Sequence, residues 1–517
     1  MILTRTDKFL RGLATGYLTL GANILYTAAS VPLALAYLSR EEFGAWALAQ
    51  QVAAYLLLLD FGMYSSVSRV VADKKDAVNG GEYGALLVTG GMLFLIQAFL
   101  ILGLGSLLAW FGPDLFRLPA NLAGPFRATL LVLAATTALS LCLRSLGIPL
   151  WAFQRMDIIN LCMTTNLLLG LVFLWAGFHA GWGILSLALA GLPGTLVTGL
   201  VYYQTCRRAG HYPRRGSWGR PSLPVLSRCL VFGKDIFLIS LGTQLANASQ
   251  IMVISRWVGL EPAAVFSVVT KTYFLAQQIG NKIAQNSVAG LTEIFVRGDR
   301  QAFLRRSMHI FLFVTGLCSW MGMALILANG AFVDLWTSSK IQSSPALDGW
   351  LGGLLLASVL IFSCIEFFMA QGNLRPIRFV RVGEGILLLA GCFWGAQSFG
   401  LPGVLAASFA ATCTSLAFCL FHLSRQWPGF FSDLLPVIGK AGILLILTVI
   451  VRCNLPADGA PAGLIWPLVA GWLLLGVAGV WFWLLPCSLR QEIQTMARTL
   501  WPRFSGTGSD ERNETIK

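Results

Sequence analysis

Apolar runs recur along this whole chain at intervals of roughly 30 to 40 residues, each near the ~20 residues a helix needs to cross a bilayer. No other feature narrows the fold as far. A backbone in lipid must satisfy its own N–H and C=O groups, which leaves helices and closed barrels. The short alternating strands of a membrane barrel are absent from the sequence. With 56% hydrophobic residues, 12% charged residues and a mean hydropathy of +0.71, the chain reads as an all-α polytopic membrane protein. About fourteen spans are expected, near residues 12–37, 43–69, 84–111, 126–151, 157–177, 181–204 and 233–256, then 263–290, 308–331, 349–371, 378–398, 401–423, 435–452 and 464–485.

The net charge of +14 is distributed as topology rather than as a nucleic-acid patch. Lys74, Lys75, Arg155, Arg207, Arg208, Arg214, Arg215, Arg297, Arg300, Arg375 and Arg425 fall in alternate connectors. The other connectors hold few basic residues, which places both termini in the cytoplasm. The first run, from about Gly12 to Leu38, is too long for a signal-peptide core and lacks a small-residue cleavage site. It reads as the first spanning helix. The 11 cysteines lie mostly inside apolar runs and form no CxxC, so they read as small buried apolar residues without a metal or disulfide role. No connector approaches the ~50 residues of an independent domain, which disfavours an enzyme with a large external catalytic segment.

An offset of 220 residues lays Glu41 on Glu261, Gln51 on Lys271, and Asp114-Leu115-Phe116 on Asp334-Leu335-Trp336. Six helices separate equivalent positions, so the repeat is parallel, about an axis along the membrane normal. The expected organisation is a six-helix lobe (1–205), a basic cytoplasmic linker (206–232), a second six-helix lobe (233–425), a further helix pair (426–486) and a cytoplasmic tail (487–517). Two such lobes suit a central site and alternating access.

Polar residues recur on helix faces. At 100° per residue, Gln51, Tyr55, Gly62, Ser65 and Arg69 of the second span fall on one face, each within roughly 40° of its centre. Ser267, Lys271, Gln278, Lys282 and Gln285 do the same on the eighth, with Lys271 on the order of 12 Å deep. Asn23 on the first span, Gln244 and Asn247 on the seventh and Arg144 on the fourth complete the set of candidates for substrate binding. Amides in membrane helices also serve simply to join helices. Four embedded cations (Arg69, Arg144, Lys271 and Lys282) suit an anionic, phosphate-bearing ligand. Of the few carboxylates, Asp60 reads as a cap or structural partner. Glu366 and Glu384 lie among Arg375, Arg378 and Arg381, so ion pairing is expected, with proton coupling the alternative. The four histidines form no cluster.

Leu38–Ala72, with Phe43-Gly44-Ala45-Trp46, Leu59-Asp60-Phe61-Gly62 and a basic end at Arg69, resembles the first-to-second-helix region of Wzx-type polysaccharide flippases of the multidrug/oligosaccharidyl-lipid/polysaccharide superfamily. Ala152-Phe153-Gln154-Arg155 and Asp334-Leu335-Trp336 are similar to that family too. The resemblance implies a non-enzymatic flippase that carries a polyprenyl-pyrophosphate-linked oligosaccharide from the inner to the outer leaflet of the bacterial cytoplasmic membrane, for surface polysaccharide such as O-antigen or exopolysaccharide. Its implied cavity residues are Asn23, Gln51, Arg69, Gln244, Asn247 and Lys271. Implied partners are the lipid-linked substrate, membrane lipid and polysaccharide polymerase or export machinery, with no nucleic acid and no cofactor. Proton and sodium coupling both stay open, with Asp60, Glu366 and Glu384 as the candidate groups. The rival readings are a drug/cation antiporter of the same superfamily, which wants a buried acidic cation site, and a membrane polymerase or glycosyltransferase, which wants acidic residues on a substantial outer loop.

Overall fold

The computed structural model describes residues 5–372, 375–454, 462–486, 489–491 and 494. The expected tail, 487–517, lies almost wholly outside the described residues, as does Asp458 of an outer connector. Among the described residues every regular element is helical. The order is α1 (Arg5–Tyr37), α2 (Arg40–Leu56), α3 (Met63–Asp73), α4 (Glu82–Leu115), α5 (Ala120–Ser145), α6 (Ile148–Ala152), α7 (Met156–His179), α8 (Leu185–Leu189) and α9 (Gly191–Arg208). There follow α10 (Leu223–Trp257), α11 (Leu260–Val296), α12 (Arg300–Trp336), α13 (Pro345–Ala370), α14 (Arg375–Gln426), α15 (Pro428–Asn454) and α16 (Ala462–Gly479).

Twelve of these stretches are long and apolar enough to cross a membrane. One of the twelve, in α14, is two helices, because Gly400 (φ 62°, ψ −138°) turns the chain where only glycine sits without strain. α11 is equally long but carries Glu261, Lys271 and Lys282 and is not among the twelve. Counting both gives the fourteen expected from hydropathy.

The start of α2 follows from its sequence. Ser39 Oγ accepts from the Glu42 N–H at 3.2 Å, and the Glu42 carboxylate accepts from the Ser39 N–H at 2.7 Å, closing a capping box. The remainder of the second span differs from expectation. It tightens to a 3₁₀ turn over Leu57–Asp60, passes through left-handed Phe61 (φ 48°) and Gly62 (φ 70°), and restarts as α3. The seam drawn from Gln51 to Arg69 assumed one continuous helix. The break interrupts that helix, so the 100° periodicity does not carry from Gln51 and Tyr55 to Ser65 and Arg69. The fourth span also ends earlier than expected, at Ser145 rather than 151, and a short α6 follows. Gly147 and Pro149 account for the interruption, since proline supplies no N–H to continue the ladder. Arg144 therefore sits in the last turn of α5, beside the carbonyls that favour a cation, and not well inside a longer helix.

The chain divides into two compact units. The first comprises residues 1–271, 330–347 and 374–415, and the second 272–329, 348–373 and 416–517. The first has a buried core of Leu56, Met63, Val67, Tyr83, Phe94, Ile101, Ala134 and Leu141. Its 209–222 connector is docked rather than loose. Tyr83 Oη donates to the His211 carbonyl at 3.0 Å, Tyr212 Oη to the Leu146 carbonyl at 2.8 Å, and the Arg214 N–H to Asn79 Oδ1 at 2.9 Å. Burial pushes the Tyr212 hydroxyl well above the usual phenol range, so it stays a neutral donor. The second unit packs Phe303, Phe311, Phe367 and Phe430 at ring separations of 4.9 to 6.4 Å.

Within the first unit, α2 meets the start of α11 without room for a side chain. A Cβ on Gly44 would lie 2.0 Å from the Leu260 carbonyl oxygen. Gly44→Val is expected to lower thermal stability of the purified protein by at least ~1–3 kcal/mol, the usual penalty of overpacking. An unchanged melting temperature would show that this approach does not constrain the fold.

Candidate functional site

Polar side chains meet at two places in the first unit. On α2, Gln51 and Tyr55 are one turn apart. Tyr55 Oη shares a 2.6 Å hydrogen bond with Ser249 Oγ of α10 and reaches the Gln244 carbonyl at 3.5 Å. Gln244 is half-buried, and Asn247 is exposed. On the same helix, Gln250 Nε2 donates to Ser408 Oγ of α14 at 2.8 Å. So the amides of α10 divide: Gln250 joins helices, whereas Asn247 is exposed.

The second grouping forms at the break between α2 and α3. Asp60 Oδ1 accepts the Tyr64 N–H at 3.2 Å, capping the restarted helix, and the Asp60 carbonyl accepts from Gln97 Nε2 of α4 at 2.9 Å. The Arg144 guanidinium stands 4.4 Å from the centre of the Tyr64 ring. It lies within electrostatic reach of Asp60. A cation on an aromatic face gains about 0.5–2 kcal/mol and is held in one place. Arg144 nonetheless stays exposed, so its remaining N–H groups can meet an anion. Asp60 acts here as cap and counter-charge, the bland reading of the sequence.

On α11, Ser267 is buried, Lys271 is half-buried, and Gln278 and Lys282 are exposed. Lys282 Nζ donates to Gln285 Oε1 at 3.4 Å. Lys271 has no hydrogen-bond acceptor or carboxylate within reach among the described residues. Arg69 is exposed on α3, and Asn23 is half-buried on α1. Glu384 is 3% exposed, accepts from Arg381 Nη1 at 2.8 Å, and accepts from Thr412 Oγ1 at 3.2 Å. Glu366 lies buried in the second unit, where it lines a small cavity with Ser307 and Ser363.

Sequence reasoning missed two participants. Tyr64, the platform under Arg144, passes for one more apolar residue in a hydrophobic run. Asp348 reads as an acid in an outer loop. In the structure it lies in the first turn of α13, 1% exposed, and accepts from Asn329 Nδ2 at 2.7 Å, while Asn329 Oδ1 accepts from Thr272 Oγ1 at 2.5 Å. Its place just after Ser344-Pro345, a helix-start signal, marks it as part of the helix. Among the described residues no three His, Cys, Asp or Glu side chains group as a metal site.

Residues 14–289, more than half of the chain, match the family described as polysaccharide biosynthesis protein. No curated protein sequence matches. Solved structures share the fold at low identity. The lipid II flippase MurJ in an inward closed conformation is 14% identical, with a TM-score of 0.66 over 94% of this chain and 100% of its own. An inward-facing multidrug resistance transporter of the MATE family, in the MOP superfamily, is 16% identical, with a TM-score of 0.61 over 77% of this chain and 94% of its own. A MOP superfamily transporter from Pyrococcus furiosus, whose binding pocket is described as of reverse polarity, is 16% identical, with a TM-score of 0.55 over 81% and 96%.

Proposed function

We propose, for a chain that belongs to the polysaccharide biosynthesis protein family, that it flips a polyprenyl-pyrophosphate-linked oligosaccharide from the inner to the outer leaflet of the bacterial cytoplasmic membrane. The observation that carries this reading is Lys271. An ammonium on a membrane helix costs about 2.5–3.5 kcal/mol on insertion scales, and this one has no acceptor among the described residues. An anionic head group supplies the missing partner. Arg144, held on Tyr64 with its donors exposed, offers a second cationic contact. Asn23, Gln51, Gln244 and Asn247 of the first unit are amides of the kind that hydrogen-bond sugar hydroxyls, and Arg69 of the same unit adds an exposed cation. Coverage also favours a flippase over a drug antiporter. The lipid II flippase accounts for 94% of this chain and the MATE transporter for 77%.

Transport proceeds by rocking of the two six-helix lobes, 1–205 and 233–425, about the site between them. One end of the first unit is tied by Trp336 Nε1 to the Ala28 carbonyl at 2.8 Å, by Lys340 Nζ to the Leu35 carbonyl, and by the Gly44–Leu260 approach. With the basic connectors cytoplasmic, that is the outer end, and these bonds are the ones that must open for release.

The test is the leaflet distribution of lipid-linked oligosaccharide in cells depleted of this protein. Accumulation on the cytoplasmic leaflet with loss of surface glycan is expected, and the trapped lipid identifies the sugar. An unchanged distribution, with other flippases also removed, refutes flipping.

A further inference from the structure

The second unit holds a cleft that shares no lining residue with the candidate substrate site. It has a volume of about 390 Å³, within the ~300–1,000 Å³ typical of ligand-holding clefts. Leu304, Met308 and Phe430 give it an apolar floor, and Arg305, His309, Trp427 and Asp433 supply its polar groups. It lies where α12 begins (Arg300), α14 ends (Gln426) and α15 begins (Pro428), the helix ends that the basic residues lead us to read as the cytoplasmic face of the membrane.

Three observations point to an occupant. The Trp427 indole N–H is buried and has no acceptor in the protein. A buried donor left unpaired costs on the order of 1–3 kcal/mol. The ring has Phe303 beside it, centroids 6.5 Å apart, and the Arg300 guanidinium 5.9 Å from its centre, neither of which supplies an acceptor. Finally, Arg305 on α12 and Asp433 on α15 both line the cleft, yet neither forms an ion pair or hydrogen bond among the described residues. A cleft with one unpaired cation, one unpaired anion and one unpaired N–H fits a ligand bearing both charges. An amphiphile at this depth that carries a phosphate and a primary ammonium is an aminophospholipid.

We propose that this cleft binds the head group of an aminophospholipid of the phosphatidylethanolamine class. The phosphate accepts hydrogen bonds from Arg305 and the Trp427 N–H, with His309 one turn from Arg305 on the same wall. The ammonium pairs with Asp433, and the glycerol end rests on Leu304, Met308 and Phe430. The separation of the two charged walls sets specificity: an anionic lipid with no amine leaves Asp433 facing its phosphate. The site would make the stability of the second unit depend on lipid composition.

The experiment uses the full chain in nanodiscs of equal parts phosphatidylethanolamine and phosphatidylglycerol, with retained lipid counted by native mass spectrometry. The expected result is one retained phosphatidylethanolamine, favoured about tenfold over phosphatidylglycerol, equivalent to ~1.4 kcal/mol. Asp433→Asn is expected to keep a phospholipid but erase the preference. Trp427→Phe, which keeps the ring and removes the donor, is expected to weaken retention of both lipids several-fold. Arg305→Ala is expected to lose the lipid, and Arg305→Lys to keep part of it. Melting temperatures identify any variant that fails to fold, and Asp433→Asn, an exposed and nearly isosteric change, carries the test alone if the others do. A lipid ratio identical in wild type and Asp433→Asn overturns the proposal. So does a wild-type preference for phosphatidylglycerol, which assigns an anionic lipid instead. Soluble phosphoethanolamine or inorganic phosphate that competes as well as the lipid overturns it too, in favour of a soluble phosphate compound.

Discussion

Lys271→Leu is expected to abolish transport while leaving the protein as stable as wild type or more so. The two effects have opposite signs because of what the ammonium touches. It has no acceptor among the described residues, so its removal breaks no internal bond and relieves an insertion cost of about 2.5–3.5 kcal/mol. If the head-group phosphate is its partner, the same change removes a charge-assisted contact worth ~2–5 kcal/mol, equivalent to a loss of about 30-fold to several thousand-fold in flipping rate. Lys271→Arg keeps the charge but not the ammonium's compact geometry, and an intermediate rate is expected. The measurements are surface glycan at matched protein levels and the melting temperature of purified protein. Full export in both variants would remove Lys271 from the site. Loss of export together with loss of stability would make Lys271 a structural group, and the reading of α11 as a substrate helix would fall.

How far such groups are legible depends on what kind of signal marks them. The spans were readable because bilayer thickness fixes the length of an apolar run, and even the division of α14 at Gly400 followed from 378–398 and 401–423 being two runs. The capping box at Ser39 and Glu42 follows from local sequence alone. The errors arose where a face was projected through a defect. Periodicity at 100° per residue cannot register the left-handed pair Phe61-Gly62, because hydrophobicity continues unchanged through it. Arg144 lies in the last turn of α5 for a similar reason: the apolar run outlasts the helix, which is interrupted at Gly147 and Pro149. The motifs that carry the family resemblance turn out to be architectural. Leu59-Asp60-Phe61-Gly62 is the helix break, Phe153-Gln154-Arg155 is a turn with Gln154 left-handed (φ 58°) and Phe153 stacked 3.9 Å from His211, and Trp336 docks on α1. Residues that turn the chain mark a fold, whereas the exposure of a polar side chain such as Asn247 is encoded by no pattern of apolar residues.

Arg381→Ala is expected to have the largest effect on stability. Arg381 and Glu384 face each other at 2.8 Å on α14, with side chains only 13% and 4% exposed. Removing the guanidinium leaves the carboxylate buried with Thr412 as its remaining donor, and an uncompensated charge of this kind typically costs ~3–5 kcal/mol. Glu384→Gln alone strands the guanidinium and is expected to cost a similar or somewhat smaller amount. The double variant Arg381→Leu/Glu384→Leu removes both charges, and most of the loss is expected to return, since an apolar pair of similar volume is often as stable as the ion pair it replaces. Transport then decides what Glu384 is for. If the pair is scaffolding, the double variant flips substrate at close to the wild-type rate. If Glu384 instead carries the coupling proton or sodium ion, a stable double variant is inactive and Glu384→Gln no longer responds to the ion gradient. The pairing favours the first outcome: a carboxylate already neutralised by an arginine three residues away has given to the fold the charge that a coupling cation would need.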